Sequence, residues 1–497
     1  MENLVYGLPE WLLQALRNLD LDEPVWLVGG AVRDWLLQRP CKDFDFVFPS
    51  NARRLARRLA DNLGAVYYTL DSERDTGRVL YQDGLNQTWS LDMASLRGKS
   101  LQQDLFERDF TINALAVDIL GNNTIQDVVG GQGDITAKVL RPCSQLSLEQ
   151  DPVRVLRAVR IATDLGFHLH QETQNQINLS AKKLPSVSPE RIRDELFRIF
   201  SIFRPARALR VLQHINVLPL VFSMIFKRST GEVTDPVGQD WLEMDFKWIE
   251  SFSTIVSLIE TRDGDLANAN LSASLLFNCL KPFRKDLAAY LSTSISGNRS
   301  IQALIVLYQL LIQGLQVPGT RVESDSLSEE QSRLLEPVCR NLRLSKTESD
   351  FLTSIHLWDL EESRAVGNTL WVHRLVRDYG KGAAAGVLVS LAWLLMQGVS
   401  GQSGFKTETL ETAQQIFILI FKETERIIPE LLLDGQGIMS VLDISPGPEI
   451  GRMLQLLAEA QVVGVVENEA EALEFLRSVK PQMNLWGIEN TRYYQQI

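Results

Sequence analysis

The stretch "VGGAVRDWLLQRPCKDFDFVF", Val28 to Phe48, decides how the first part of the chain folds. It leaves an apolar run, "VWLV", passes a glycine pair into a helical pattern, and ends in "DFDFVF", where acidic and aromatic residues alternate. Alternation with period two is the mark of a strand, so Asp43 and Asp45 project from one face about 6 to 7 Å apart while Phe44 and Phe46 turn the other way. Two carboxylates so placed are costly unless a cation neutralises them, and their hard oxygens suit Mg2+. An edge strand with one face in water shows the same alternation, so the pair takes its meaning from what precedes it. Gly29 and Gly30 lead into a helix starting near Ala31. Glycine lets a ligand approach the backbone, N–H groups at a helix start hold phosphate, and Arg33 offers a charged clamp. A phosphate seat beside a carboxylate pair points to a nucleoside triphosphate and transfer at one of its phosphates. A glycine turn that only packs a helix is the plainer alternative.

Outward from this stretch, composition sets the limits. The 497 residues exceed one compact core, and 45% hydrophobic with 23% charged residues is the balance of a globular protein. A net charge of -12 argues against binding nucleic acid over the whole surface and leaves room for a local basic groove. Cys41, Cys143, Cys279 and Cys339 lack the close spacing of zinc sites or disulfide frameworks, which reads as a chain kept reduced in the cytoplasm. The opening "MENLVYGLPEWLLQALRNLD" lacks the basic and apolar regions of an export signal. The apolar run Ala383 to Met396 has the length of a buried helix, not of a bilayer span, so no membrane is expected.

The first 150 or so residues mix strand patterns ("PVWLVGG", "DFDFVF", "AVYYTL", "GRVLYQ", "WSLDMA") with helical ones ("GAVRDWLLQ", "NARRLARRLADNLG"). After about Gln150 the pattern is helical throughout, from "DPVRVLRAVRIATDLGF" through "SPERIRDELFRIF" to "ARALRVLQHINVL". Gly-, Ser- and Thr-rich runs near Lys227 and Gln397 read as loops or boundaries. No fixed-period repeat is present.

"GGAVRDWLLQRPCKDFDFV" resembles the first motif of the class II tRNA nucleotidyltransferase and bacterial poly(A) polymerase family, within the polymerase-β-like nucleotidyltransferases. "RDFTINALA" (Arg108 to Ala116), "DPVRVLRAVR" (Asp151 to Arg160) and "PERIRDEL" (Pro189 to Leu196) follow in that family's order. Near the other end, "LLLDGQGIMSVLDISPGPEIGRMLQLLAEAQVVG" resembles the tail these enzymes turn toward the tRNA body. The resemblance implies an α+β fold: a nucleotidyltransferase head over residues 1–140 and then an elongated all-α part. That part would comprise a neck with a base-recognition helix (141–225), a body (226–424) and a tRNA-binding tail (425–497).

It also implies roles. Asp43 and Asp45 would hold the metal ions, Mg2+, of in-line attack by an RNA 3′-hydroxyl on the α-phosphorus. Asp92 in "SLDMASLR" stands where a third acidic strand residue falls, though a surface strand Asp is the plainer alternative. Gly29, Gly30 and Arg33 would seat the triphosphate. Asp109 and Asn113, four apart and hence on one face if helical, would read the ribose with Arg108. Asp151, Arg154, Arg157 and Arg160, spaced as a helical stripe, would read the base, Asp accepting from the exocyclic amine of C or A and Arg donating to the ring. The chain departs from the family pattern at Glu107, where a basic residue is frequent, and at Gln150, where Glu is usual. "PERIRDEL" reads as mainly structural, with Ser188 as N-cap and Glu190 together with Arg193 or Asp194 bracing the preceding helix, while Arg191 and Arg193 could also touch RNA phosphate.

Only "GKSLQQ" separates Arg97 from Asp104, where full CCA-adding members carry a longer loop. The resemblance therefore implies CC addition to tRNA from CTP, with full CCA synthesis from CTP and ATP beside it. The alternatives are an A-adding enzyme, a poly(A) polymerase, and a catalytically silent RNA-binding scaffold.

Overall fold

The computed structural model describes residues 7–226 except 22, 85, 122 and 123. Beyond these it describes 244–260, 271–314 except 298, 335–358, 360, 368–399 and 405–479. The chain divides into two compact units, Met1–Ile225 and Phe226–Ile497.

The first unit is built on a mixed sheet of seven strands. These are β1 (Trp26–Val28), β2 (Asp43–Phe48), β3 (Val66–Asp71), β4 (Thr76–Gln82), β5 (Thr88–Ser95), β6 (Leu115–Asp118) and β7 (Ile125–Asp127). Their spatial order is β3-β4-β5-β2-β1-β6-β7. β2 and β5 run parallel, and every other neighbouring pair is antiparallel. The helices that frame the site are α1 (Gly30–Leu36), α2 (Ala52–Leu63), α3 (Leu101–Phe106), α4 (Ser147–Gln150), α5 (Arg154–Leu165) and α6 (Pro189–Phe200).

Side-chain alternation gives the two faces of the sheet opposite characters. Phe44, Phe46, Phe48, Val79, Leu91 and Met93 are buried, as are Leu55, Ala56 and Leu59 of α2, and α2 packs on β4 and β5. On the other face Asp43 and Asp45 are exposed, while Val28, Val47 and Ala116 pack with Leu101 and Leu105 of α3. α3 therefore covers one end of the polar face and leaves the other open.

Three local expectations are corrected. Asp109 and Asn113 do not share a helix: Phe110 is extended (φ -130°, ψ 149°), Thr111–Asn113 is one 3-10 turn, and "LAVD" continues as β6. A short apolar run beside a central strand looks the same in sequence as a buried helical turn. Asp151 does not lie on the stripe of α5, which begins at Arg154; it caps α4 in an extended conformation (φ -141°, ψ 90°). Pro152 is the cause, because the residue before proline is pushed out of the helical region. The helical part also contains two short ladders, Val139–Leu140 with His168–Leu169 and Ser294–Ser296 with Arg299–Ser300.

Among its described residues the second unit has helices and that last ladder as its regular elements. Its centre is Gly382–Val399, which buries Val387, Leu388, Val389, Leu391 and Ala392 beside Lys247–Glu260. The run expected to be a buried helix is one. Among the described residues no single helix is long and apolar enough to cross a membrane. A separate cluster of Ile438, Leu442, Met453, Leu457 and Leu476 joins Gly435–Leu442, Pro448–Val462 and Glu469–Val479. The loop-like run near Lys227 lies outside the described residues, as do 400–404 of the one near Gln397 and the chain beyond Val479.

Candidate active site

β1 ends at Val28, and Gly29 turns the chain into α1 with φ +77°, a conformation L side chains rarely adopt. A Cβ here would sit 3.2 Å from Arg108 Nη1 and 3.3 Å from Asp45 Oδ2, so glycine keeps the backbone open toward both groups.

Strand register brings the acids together. Val28 pairs with Asp45, Asp45 with Asp92 across the parallel β2–β5 ladder, and Asp92 with Arg78 of β4. The Asp45 side chain reaches solvent through the cleft, yet protein crowds it from the sides. Crowding raises its pKa, Arg108 opposes, and Asp92 and Asp43 add to the rise, so that it stands at about 6. Asp92 meets Arg78 through both oxygens, with Nε to Oδ1 and Nη2 to Oδ2 each at 2.5 Å. Arg108 is anchored by Asp104, 1% exposed, through Nη2 at 3.0 Å and Nε at 3.2 Å.

A second set of groups forms one connected network. Arg33 forks onto Asp34 at 2.9 and 3.0 Å, and its Nη1 donates to Asn113 Oδ1 at 2.7 Å. Asn113 Nδ2 and the Phe110 N–H donate to Asp109 Oδ1, and Arg157 Nη1 donates to Oδ2 at 3.2 Å. Burial raises the Asp109 pKa, but Arg157, Asn113 and the Phe110 N–H outweigh it and hold the carboxyl below its ordinary value. Glu195 of α6, 2% exposed, accepts from Arg160 at 2.6 Å and Arg198 at 3.2 Å and lies 3.5 Å from Arg157. Glu195 thus braces α5 from α6 through Arg157 and Arg160. Ser188 stands at the N-cap without a side-chain cap bond, and Pro189 starts the helix.

Asp151 accepts from Arg191 Nη2 at 3.0 and 2.8 Å. Arg154 is steadied without help from Gln150: Nη1 donates to Ser147 Oγ at 2.7 Å, and Nη2 to the Glu107 carbonyl at 3.2 Å. Its Nε is buried without a hydrogen-bond partner among the described residues and faces Asp151 Oδ2 at 3.8 Å. The place that a glutamate at position 150 would take beside Arg154 is thus filled by Ser147 and by main-chain carbonyls.

Two cavities meet at Asp45. The smaller, about 330 Å3, is lined by Gly29, Gly30, Arg33, Arg108, Asp109, Asn113, Arg154, Arg157 and Arg160. The larger, about 1180 Å3, takes Asp92 and Asp151 together with Asp71, Arg74, Gln150 and Arg191. Arg97 lines both. All the residues expected to bind nucleotide reach one cavity or the other; Asp43 lines neither and lies on the same strand face just beyond. Sequence reading assigned no site role to Arg78, Arg97, Asp104 or Glu195; Arg78 stands as an isolated charge in the strand pattern "GRVLYQ", while the other three lie among polar neighbours that give no local signal. Residues 96–100 alone join β5 to α3, with Gly98 at φ +82° and Ser100 capping the helix.

Among the described residues no three His, Cys, Asp or Glu side chains gather as a metal cluster. The donors that fit a cation are Asp43 and Asp45, oxygen ligands on one face whose negative charge is only partly offset. Mg2+ typically takes one or two carboxylates and completes its shell with substrate phosphates and water.

This fold and site define a nucleotidyltransferase class, and sequence comparison agrees. Residues 25–141 match the poly A polymerase head domain, and residues 166–227 the probable RNA and SrmB-binding site of polymerase A. The chain is 31% identical over 456 residues to a CC-adding tRNA nucleotidyltransferase of Geobacter sulfurreducens, covering 91% of each. It is 28% identical over 458 residues to an A-adding tRNA nucleotidyltransferase of Deinococcus radiodurans, covering 91% of this chain and 94% of that one. A CCA-adding enzyme solved with ATP shares the fold at a TM-score of 0.55 and 19% identity, over 96% of this chain and 97% of that one. The chain belongs to the tRNA nucleotidyltransferase and poly(A) polymerase family.

Proposed function

We propose that this protein adds CMP from CTP to the 3′ end of tRNA without a nucleic-acid template, releasing pyrophosphate, with CC addition as its main product and full CCA synthesis as the broader form of the same reading. The observation that carries it is the junction at Asp45: an arginine-lined cavity of nucleotide size opens there onto a larger cleft bearing Asp92 and Asp151. The short connection 96–100 and the extended similarity to a CC-adding enzyme support C over A.

In this reading the triphosphate lies along Gly29 and Gly30, and Arg108 offsets its charge. Asp109, kept ionised by Arg157, accepts from the ribose 2′-hydroxyl, and Asn113 is fixed for the same task by Arg33. Asp151 accepts from the exocyclic amine of cytosine while Arg154 donates to the ring, a pattern that guanine and uracil do not offer. The RNA end enters the larger cleft, so that its 3′-hydroxyl reaches the α-phosphorus beside Asp45, and positioning supplies much of the rate. Asp43 and Asp45 would hold Mg2+, which supplies activation of the attacking hydroxyl and neutralises the charge of the leaving group. Asp92 stands beside this corner in a pair with Arg78. The tail helices Gly435–Leu442 and Pro448–Val462 meet the tRNA body.

The test supplies tRNAs lacking the whole CCA end, lacking only the final A, or complete, with CTP or ATP alone and Mg2+. C incorporated onto the first substrate supports the reading. A added only to the CC end would establish the A-adding alternative, which the similarity to the Deinococcus enzyme favours. No incorporation from any pairing would leave the silent RNA-binding scaffold. Asp43→Ala and Asp45→Ala should each abolish addition while tRNA binding persists.

A further inference from the structure

The polar row across the sheet contains a group that the proposed reaction leaves without a task. Arg78 projects from β4 in register with Asp92, which is in register with Asp45. Its guanidinium meets the Asp92 carboxylate as a two-pronged pair, both bonds at 2.5 Å. The side chains are 28% and 23% exposed, partly withdrawn from water and therefore less screened than a surface pair. Asp92 is the first of its causes for a raised Arg78 pKa. Each Asp92 oxygen thus already accepts a bond from an arginine that stays charged at every working pH, and that cation lies where a metal ion would have to compete.

We propose that Arg78 is a positioning residue that competes with the divalent cation for Asp92, so that in the nucleotide-free protein the cation meets two carboxylates and not three. The inference rests on the reading of Asp43 and Asp45 as cation ligands. Carboxylate number and charge set the affinity of a hard-oxygen site. A third carboxylate committed to Arg78 keeps the resting site weak, and the triphosphate oxygens complete it when nucleotide arrives. The lysine of equal charge cannot reproduce the fork, because an ammonium is a single point donor.

The experiment measures Mn2+ affinity of the full chain without nucleotide, by electron paramagnetic resonance of free Mn2+. Arg78→Met should tighten binding by about tenfold, the lower end of what partners of metal ligands contribute. Arg78→Lys should tighten it by a smaller factor, and that gain cannot come from lost charge. Asp92→Asn alone should leave affinity near that of the unmodified protein. In the Asp92→Asn background, Arg78→Met should produce no gain, since nothing remains to be released. A gain of equal size in that background would mean that Arg78 acts only through its field and would overturn the inference. So would an Arg78→Met protein with unchanged affinity, or an Asp92→Asn protein that binds as poorly as Asp43→Asn. Circular dichroism checks that each variant folds, and Arg78→Lys carries the test should Arg78→Met unfold. Asp43→Asn separates the two layers: if it binds Mn2+ normally, the ligand assignment itself fails, whatever Arg78 does.

Discussion

Replacing Asp45 by Asn should stabilise the cation-free protein while removing its activity. The Asp45 pKa is raised from 3.8 to about 6 by crowding and by Asp92 and Asp43, against Arg108. At about 1.36 kcal/mol per pH unit the shift has a ceiling of about 3 kcal/mol. The side chain is open to solvent in the cleft, so water and salt screen most of that, leaving about 1 kcal/mol. The sign follows from linkage. A carboxyl whose folded pKa lies above its unfolded value contributes stability below the unfolded value and loses it as pH rises through the folded one. The unmodified protein therefore falls behind the Asn variant between about pH 4 and pH 6, and the gap persists above that range. For a unit the size of Met1–Ile225, 1 kcal/mol corresponds to about 2–4 °C in Tm. Thermal melts of both proteins in chelator at acid and mildly alkaline pH would read this difference in the transition that CTP shifts. Mg2+ should then raise the Tm of the unmodified protein and leave the variant unmoved. The reasoning is refuted if Asp45→Asn melts at or below the unmodified protein at alkaline pH, or if the gap does not close on acidification.

Other consequences follow from single contacts. Gly29→Ala should cost about 1–2 kcal/mol from its positive φ and crowd Arg108 and Asp45, lowering both the denaturation midpoint and the turnover. Glu195→Gln should cost about 3 kcal/mol in urea unfolding, because three arginines lose a buried counter-charge. Although burial raises the Glu195 pKa, Arg160 and Arg157 depress it overall, so its contribution is present above its ordinary value of 4.5 and lost as pH falls through the lower folded value. The gap between Glu195→Gln and the unmodified protein should therefore close in acid. Asp151→Ala should cut kcat/KM for CTP by about 10- to 100-fold, the worth of a hydrogen bond to a charged group, and narrow the preference over UTP; equal losses for both nucleotides would show that Asp151 does not read the base.

Legibility followed the range of the interactions. The period of "DFDFVF" placed Asp43 and Asp45 on one strand face, and "VWLVGG" located the turn, because side-chain alternation and the freedom of glycine act within a few residues. Asp151 was misplaced on α5 although Pro152 stands beside it; the local rule was available and was outweighed by the regular spacing of Arg154, Arg157 and Arg160. β6 escaped notice because "LAVD" is four residues long and buried on a central strand, where no alternation distinguishes it from a helical turn.

What the sequence alone determined is the inventory: the glycine turn, the acidic strand, and the carboxylates and arginines that a nucleotide requires. What tertiary structure decided is which of them meet. Parallel pairing of β2 with β5 aligns Asp45 with Asp92, and β4 then delivers Arg78 to it. Packing of α6 against α5 delivers Glu195 to Arg157 and Arg160. Strand order and helix docking arise from hydrogen bonds and apolar contacts between residues far apart in the chain, and no local period records them.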